Sequence, residues 1–298
     1  MTTPSLRLAS LLAAFALPLS AQTVTTTLLN DTFTDLDRTN QSLPDSARWF
    51  TSASNSVANI DVSSGALVTK NGITTLGYFA DSDSPVSLAV GESLTLSFTI
   101  SFSDITDAPG NFRVGLYNSG GHRFTTDNFG NSHAAFTGGY AGYMGVVNVG
   151  SAGSNAFRVY ERGGSTSLIA SSLNNFAQVG GSEGGAAKTF VANNTYTATI
   201  VFSRTEESVM TISQTYAGLF AGGDTPSVTT ASISDTSGLT TIFDAVAFFY
   251  NNTATLTLDN IRIDYTQLAP SIPEPASAAA LFGAFALSAG ALRRRRRA

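Results

Sequence analysis

The chain has 298 residues, of which only 12% are charged, and it carries a formal net charge of −5 with no cysteine. Arg7 and the five arginines near the C-terminus supply six of the 16 basic residues, so the stretch between them carries about −11, which argues against nucleic acid as a partner. The lack of cysteine excludes thiol catalysis and Cys-ligated zinc, and about 247 residues between the two ends suffice for one core without disulfides.

Residues 1–21 carry Arg7, an apolar stretch over 8–19, then Ser20 and Ala21 before Gln22. This is the pattern of a secretory signal helix, cut by signal peptidase after Ala21. An uncleaved anchor is the competing reading, but the apolar core is well short of the ~20 residues a spanning helix needs. Both readings export the body of the chain.

Residues 22–268 predict an all-β domain, because apolar residues recur with period two. The clearest run is 93–103, where Leu94, Leu96, Phe98, Ile100 and Phe102 share one face and Ser or Thr the other. Further strands are predicted over 58–62, 66–69, 76–79, 112–117, 143–149, 156–160, 196–203, 209–216, 228–233, 246–250 and 255–265. Around a dozen strands without a convincing amphipathic helix indicate an antiparallel β-sandwich. Residues 204–208 are a short polar connection that predicts a hairpin. In the last strand Leu256 and Leu258 keep one phase and Ile261, Ile263 and Tyr265 the other, which puts a β-bulge at Asp259-Asn260. The Gly-rich stretches 118–142 and 163–188 lack a strand pattern and are predicted to be surface loops.

Residues 269–298 form a tail of three parts. Pro270, Pro273 and Pro275 hold the backbone extended ahead of an uncharged run over 276–292, which as a helix would span about 26 Å of membrane. Arg293, Arg294, Arg295, Arg296 and Arg297 come next as a stop that stays in the cytoplasm by the positive-inside rule. With Pro273-Glu274-Pro275 at its head, this tail resembles a PEP-CTERM sorting signal, read by exosortases in Gram-negative bacteria that make extracellular polysaccharide. The resemblance implies a membrane-anchored intermediate, cleavage near Pro273, Glu274 and Pro275 by an exosortase-type enzyme, and delivery to the cell envelope or extracellular matrix. A tail anchor that is never cut is the plain alternative.

The body resembles a concanavalin A-like jelly roll of the lectin and glucanase class, on Asn30-Asp31-Thr32-Phe33, Gly115-Leu116-Tyr117 and the closing Leu258-Asp259-Asn260-Ile261-Arg262-Ile263. The Glu-x-Asp-x-Glu run of laminarinase-type members is absent. His122 and His133 have neither metal-ligand spacing nor a triad around them. No catalytic residue is assigned, and the expected function is non-enzymatic; a polysaccharide hydrolase or lyase with an unfamiliar site is the alternative. Sugar rings have apolar C–H faces and polar edges, so aromatics beside amides and charges are the candidates for a glycan platform. Tyr117, Asn118, His122, Arg123, Tyr140 and Tyr143 cluster around the first loop, and Trp49 is a second candidate; core packing is the competing reading for each aromatic. The resemblance also implies a structural calcium ion joining the N-terminal segment to the last strand, with Asp31 and Asp259 as the carboxylates; capping or bulge hydrogen bonds are the competing reading.

Overall fold

Runs in which Ser or Thr alternate with large apolar residues become strands in the computed structural model, which describes residues 22–269 apart from 55, 57, 71, 106–110, 151–156, 171, 181–187 and 253. The signal segment with Ala21 and the sorting tail with Pro273, Glu274, Pro275 and Arg293 through Arg297 lie outside the described residues. In chain order the strands are β1 (Thr23–Asp31), β2 (Trp49–Thr51), β3 (Ile60–Asp61), β4 (Leu67–Thr69), β5 (Thr75–Tyr78), β6 (Val86–Ser87), β7 (Ser93–Phe102), β8 (Asn111–Asn118), β9 (Ala141–Asn148), β10 (Phe157–Glu161), β11 (Ala177–Val179), β12 (Tyr196–Glu206), β13 (Val209–Gly218), β14 (Ser227–Asp235), β15 (Ile242–Phe243), β16 (Ala245–Tyr250) and β17 (Leu256–Leu268). One short helix, α1 (Ala134–Gly138), and a 3₁₀ turn (Leu173–Asn175) interrupt them. Among the described residues no helix is long and apolar enough to cross a membrane. Val24–Gln267 is one compact unit; of a second unit, Met1–Thr23 with Leu268–Ala298, only residues 22, 23, 268 and 269 are described.

Among the described residues the first sheet runs β14-β13-β12-β7-β17-β4-β3, with β1 also on β17, and the second runs β11-β10-β9-β8-β16-β5-β2. Neighbours along both paths pair antiparallel. The chain leaves the first sheet after β7, builds β8 to β11 in the second, and returns for β12 to β14. It then inserts β16 between β8 and β5, and β17 between β7 and β4. This winding between two sheets is the jelly-roll form of a β-sandwich.

Burial explains why the two sheets read so differently. In β7 buried residues alternate with half-exposed ones, as expected of a sheet with one face in the core and one in water. β16 is buried along its whole length, and β8 and β9 nearly so. The inner faces meet in a core that includes Phe98, Phe102, Phe112 and Phe248, with Phe98 edge-on to Phe248 at 5.3 Å. The outer face of the second sheet has its own core, where Leu76, Tyr78, Tyr117, Met144 and Phe249 pack under residues of two loops, among them Phe136, Tyr140, Leu168 and Ile169. Each fully buried side chain of this size contributes about 1.5–3 kcal/mol.

The predicted bulge is present: pairing of β17 with β7 shifts between Asp259 and Arg262, and Asn260 takes a left-handed φ of 52°. The predicted hairpin is tighter than its polar run suggests, since β12 extends to Glu206 and only Glu207 and Ser208 turn. β1, β2, β6, β11 and β15 fall outside the predicted strands. Most are two or three residues long, too short for a period to register, and β1 is a Thr-rich run with little apolar alternation. The stretch 118–142 is more than a surface loop, because it carries α1 and buries Phe129, Phe136 and Tyr140.

Candidate functional site

Asp31 ends β1 as a buried carboxylate, and everything around it donates. Its Oδ1 accepts from the Phe33 amide at 3.0 Å, and its Oδ2 from the Ala47 amide at 3.1 Å and the Trp49 indole N–H at 2.8 Å. Burial is the largest influence on its proton affinity and raises it, while the three donors pull it down. Donors pointed at both oxygens would repel a cation, so Asp31 does not fit the expected calcium ligand. Asp259 spends its carboxylate on Asn260, accepting from the backbone amide at 2.7 Å and the side-chain amide at 2.8 Å. Among the described residues no group of three or more His, Asp or Glu is placed to hold a metal.

The expected aromatic platform is interior. Trp49, Tyr117 and Tyr143 are fully buried and Tyr140 nearly so. Trp49 packs between Phe33 and Phe248, with ring centroids 6.1 and 6.0 Å away. Tyr143 faces the inner core, where its hydroxyl donates to Asp235 at 2.8 Å. Tyr117 and Tyr140 belong to the outer core, and the Tyr140 hydroxyl lies 2.8 Å from that of Tyr78. Burial raises the proton affinity of the Tyr117, Tyr140 and Tyr143 hydroxyls. None of these rings offers a face to a sugar as the structure stands.

The polar members of that cluster fasten the loop to the sheet. Arg123 stacks over Tyr78 at 4.5 Å, pairs with Asp244 at 2.8 Å and donates to the Ala80 carbonyl. Asp244 also accepts from the Ser119 amide at 2.7 Å and the Ser119 hydroxyl at 2.6 Å. Asn118 accepts from the Gly120 amide in a turn, and the exposed His122 lies with its ring against Gly139. On the far side of the loop, buried Arg162 donates to the carbonyls of Tyr140, Phe136 and Ser165.

Between these fixed points the loop contributes one wall of an open depression of about 360 Å³, lined by Arg48, Ser54, Thr126, Asp127 and Asn128. Within this lining the Asp127 carboxylate is fixed, accepting a bidentate pair from Arg38 at 2.8 and 3.2 Å and the Thr51 amide at 3.0 Å. The Asn128 amide donates to the Thr51 and Ala53 carbonyls, and the Gly130 amide to that of Ser52. Asn128 therefore sits in a left-handed conformation, φ 66°, with its side chain exposed. Arg48 lies with its guanidinium 4.9 Å from the centre of the Phe50 ring. Exposed Ser54, Thr126 and Asn128 with half-exposed Arg48 place hydroxyl, amide and guanidinium groups around one hollow.

No family model matches the chain, and no curated protein matches its sequence. Among solved structures, similarity is found to the Lotus tetragonolobus seed lectin, at 12% identity over 84% of this chain and 100% of that one, with a TM-score of 0.40. The metal-free carbohydrate recognition domain of Emp46p is similar at 9% identity over 80% of this chain and 94% of that one, TM-score 0.45. A Bacillus subtilis protein of unknown function with a galectin-like fold is similar at 9% over 74% of this chain and 90% of that one, TM-score 0.39. At such identities and TM-scores a likeness decides nothing about ligand or activity, and the architecture of this chain rests on its own strand pairing.

The five lining residues do not stand out in the sequence as a site. Their one local signal is the polar run Thr125-Thr126-Asp127-Asn128, which lies in the same loop as buried Phe129, Phe136 and Tyr140. A second cluster lies at one end of the inner core. Glu161 ends β10 opposite Tyr143 of β9, on the face that buries Phe157 and Val159, and Asp235 ends β14 beyond inward-facing Ile233. Asp235 accepts from the Tyr143 hydroxyl, the Ser237 amide and the Ser237 hydroxyl. Burial first, and the charge of Asp235 second, push the Glu161 carboxyl up to about 7.

Proposed function

We propose that this is an exported, non-enzymatic glycan-binding protein of the bacterial cell envelope or extracellular matrix. The observation that carries the binding reading is the open depression at Arg48, Ser54, Thr126, Asp127 and Asn128. Its lining combines hydroxyl, amide and guanidinium groups with an Asp127 carboxylate that Arg38 and the Thr51 amide hold in place. A hollow with this polar lining matches the hydroxyl-rich edge of a saccharide, and a side chain already fixed there reduces the ordering cost of binding. Export rests on the sequence of residues 1–21 and of the tail. Signal peptidase acts at Ala21, and an exosortase-type enzyme at Pro273-Glu274-Pro275, on a membrane-anchored intermediate.

A glycan array and a reducing-sugar assay on the full chain, kept in a sugar-free detergent, test this reading. Binding without release of reducing ends is expected, and Asn128→Ala should weaken it. One arrangement favours the rival reading of a polysaccharide hydrolase or lyase: Glu161 lies opposite Tyr143, whose hydroxyl donates to Asp235, and burial pushes the Glu161 carboxyl up, so a protonated and an ionised carboxyl as glycosidases use could meet there. Turnover abolished by Glu161→Gln or Asp235→Asn would establish that rival.

A further inference from the structure

The guanidinium of Arg48 differs from the others in this protein. Every other arginine among the described residues donates to a named acceptor: Arg38 to Asp127, Arg123 to Asp244, Arg262 to Asp264, and the rest to carbonyls, amides or a hydroxyl. Arg48 has no such acceptor among the described residues. It is held only from below, by the Phe50 ring at 4.9 Å, and that ring is itself fixed edge-on against Tyr78 at 5.8 Å. Stacking on an aromatic face leaves the in-plane N–H edges of a guanidinium free, and those edges form the fork that carboxylates accept in pairs.

The remaining charge in the hollow is already neutralised. Asp127 is paired with Arg38, and its oxygens also take the Thr51 amide. The uncompensated charge lining the depression is therefore the positive charge of Arg48, although the chain around it is acidic. A ligand that fits must bring an anion for the guanidinium and hydroxyls for Ser54, Thr126 and Asn128, within about 360 Å³, the lower end of ligand clefts.

We infer that the depression takes a uronate residue of an acidic polysaccharide, with the sugar carboxylate on the Arg48 guanidinium and ring hydroxyls on Asn128, Ser54 and Thr126. The inference rests on the glycan-binding reading and narrows it to a ligand class. A neutral sugar would satisfy the amide and hydroxyls but leave the guanidinium with water. A free inorganic anion would leave the amide and hydroxyls unused.

The test is calorimetric titration of the full chain, in a sugar-free detergent, with an oligogalacturonate and with a neutral oligoglucoside of equal length. The uronate should bind more tightly than the glucoside, and Arg48→Gln should weaken uronate binding tenfold or more, a clearly larger factor than any loss for the glucoside. Arg48→Lys keeps the charge but not the planar fork, so it should fall between the two and serves as the second variant if Arg48→Gln unfolds. Raising salt from about 0.05 to about 0.3 M should weaken the uronate and not the glucoside. Uronate affinity unchanged in both Arg48 variants, or equal binding of both ligands, would overturn the inference and leave the glycan reading standing. Absence of binding to any saccharide would overturn both.

Discussion

Replacing Glu161 with Gln gives a pH-dependent stability change whose sign and size derive from the position of the carboxyl. The folded protein holds this proton up to about 7 against an ordinary value of 4.5, so protonation favours the folded state. The stabilisation is complete below pH 4.5, is lost as pH rises through the window to about 7, and is absent above it. For a fully buried group this difference would be worth at most about 3 kcal/mol. Glu161 is only half-buried, and solvent screening reduces the expected effect to about 1 kcal/mol. Gln has the shape of the protonated form and no charge to place beside Asp235. The variant should therefore match the parent at pH 4.5 and exceed it by about 1 kcal/mol at pH 8. Urea unfolding of both proteins at the two pH values measures this as a difference of differences, in which the titration of groups not coupled to Glu161 cancels. A variant whose advantage is the same at both pH values would refute the assignment of the raised proton affinity to Glu161.

Asp31→Ala strands three buried N–H donors, those of Phe33, Ala47 and the Trp49 indole, and should cost about 3–5 kcal/mol in urea unfolding. The same carboxylate predicts an unchanged melting temperature of the parent protein with and without chelator; a rise of several degrees on adding calcium would show that a cation site exists despite the donors around Asp31. Glu274→Ala should leave full-length protein in the membrane fraction, and normal release would count against exosortase-type processing.

The strands that read most clearly in the sequence are those with one wet face. β7, β12 and β13 alternate because Ser and Thr on the outer face of the first sheet meet water, and the phase change in β17 marks its bulge at Asn260 for the same reason. The second sheet offers a weaker pattern, since β16 reads Ala-Val-Ala-Phe-Phe-Tyr with both faces buried, and the strand predicted over 246–250 shows as an apolar run without a period. The candidate site is the hardest part to read. Tyrosines near a Gly-rich loop suggest a platform, but Gly and Ser allow the loop to fold down and carry those rings into a second core. Asp31 looks like a metal ligand for a related reason: a lone carboxylate in the sequence gives no sign that an indole and two amides will saturate it. Arg48 and Asp127 are 79 positions apart and come together only because the loop closes over β2 and β5.

The covering of the second sheet also bears on where the proposed glycan would bind. Among the described residues the outer face of that sheet is covered by Phe129, Phe136 and Tyr140 from one loop and by Leu168, Ile169 and Phe176 from another. The loops stay down because arginines serve as posts beneath them: Arg162 gathers three carbonyls, Arg113 reaches the Ile169 carbonyl at 2.6 Å, and Arg123 ties Tyr78 to Asp244. Burial lowers the proton affinity of Arg113 to about 10 and that of Arg162 as well, yet both remain charged at neutral pH and keep donating. Removing such a post would leave buried carbonyls without partners, which costs more than the net worth of each bond. The loop is thus pinned at several points, and in the proposed glycan-binding reading recognition falls to its rim, where Thr126, Asp127 and Asn128 line one hollow with Arg48 and Ser54. A rim anchored in this way binds without closing, so ligand association should order little of the chain and affinity should depend on the few groups that line the hollow.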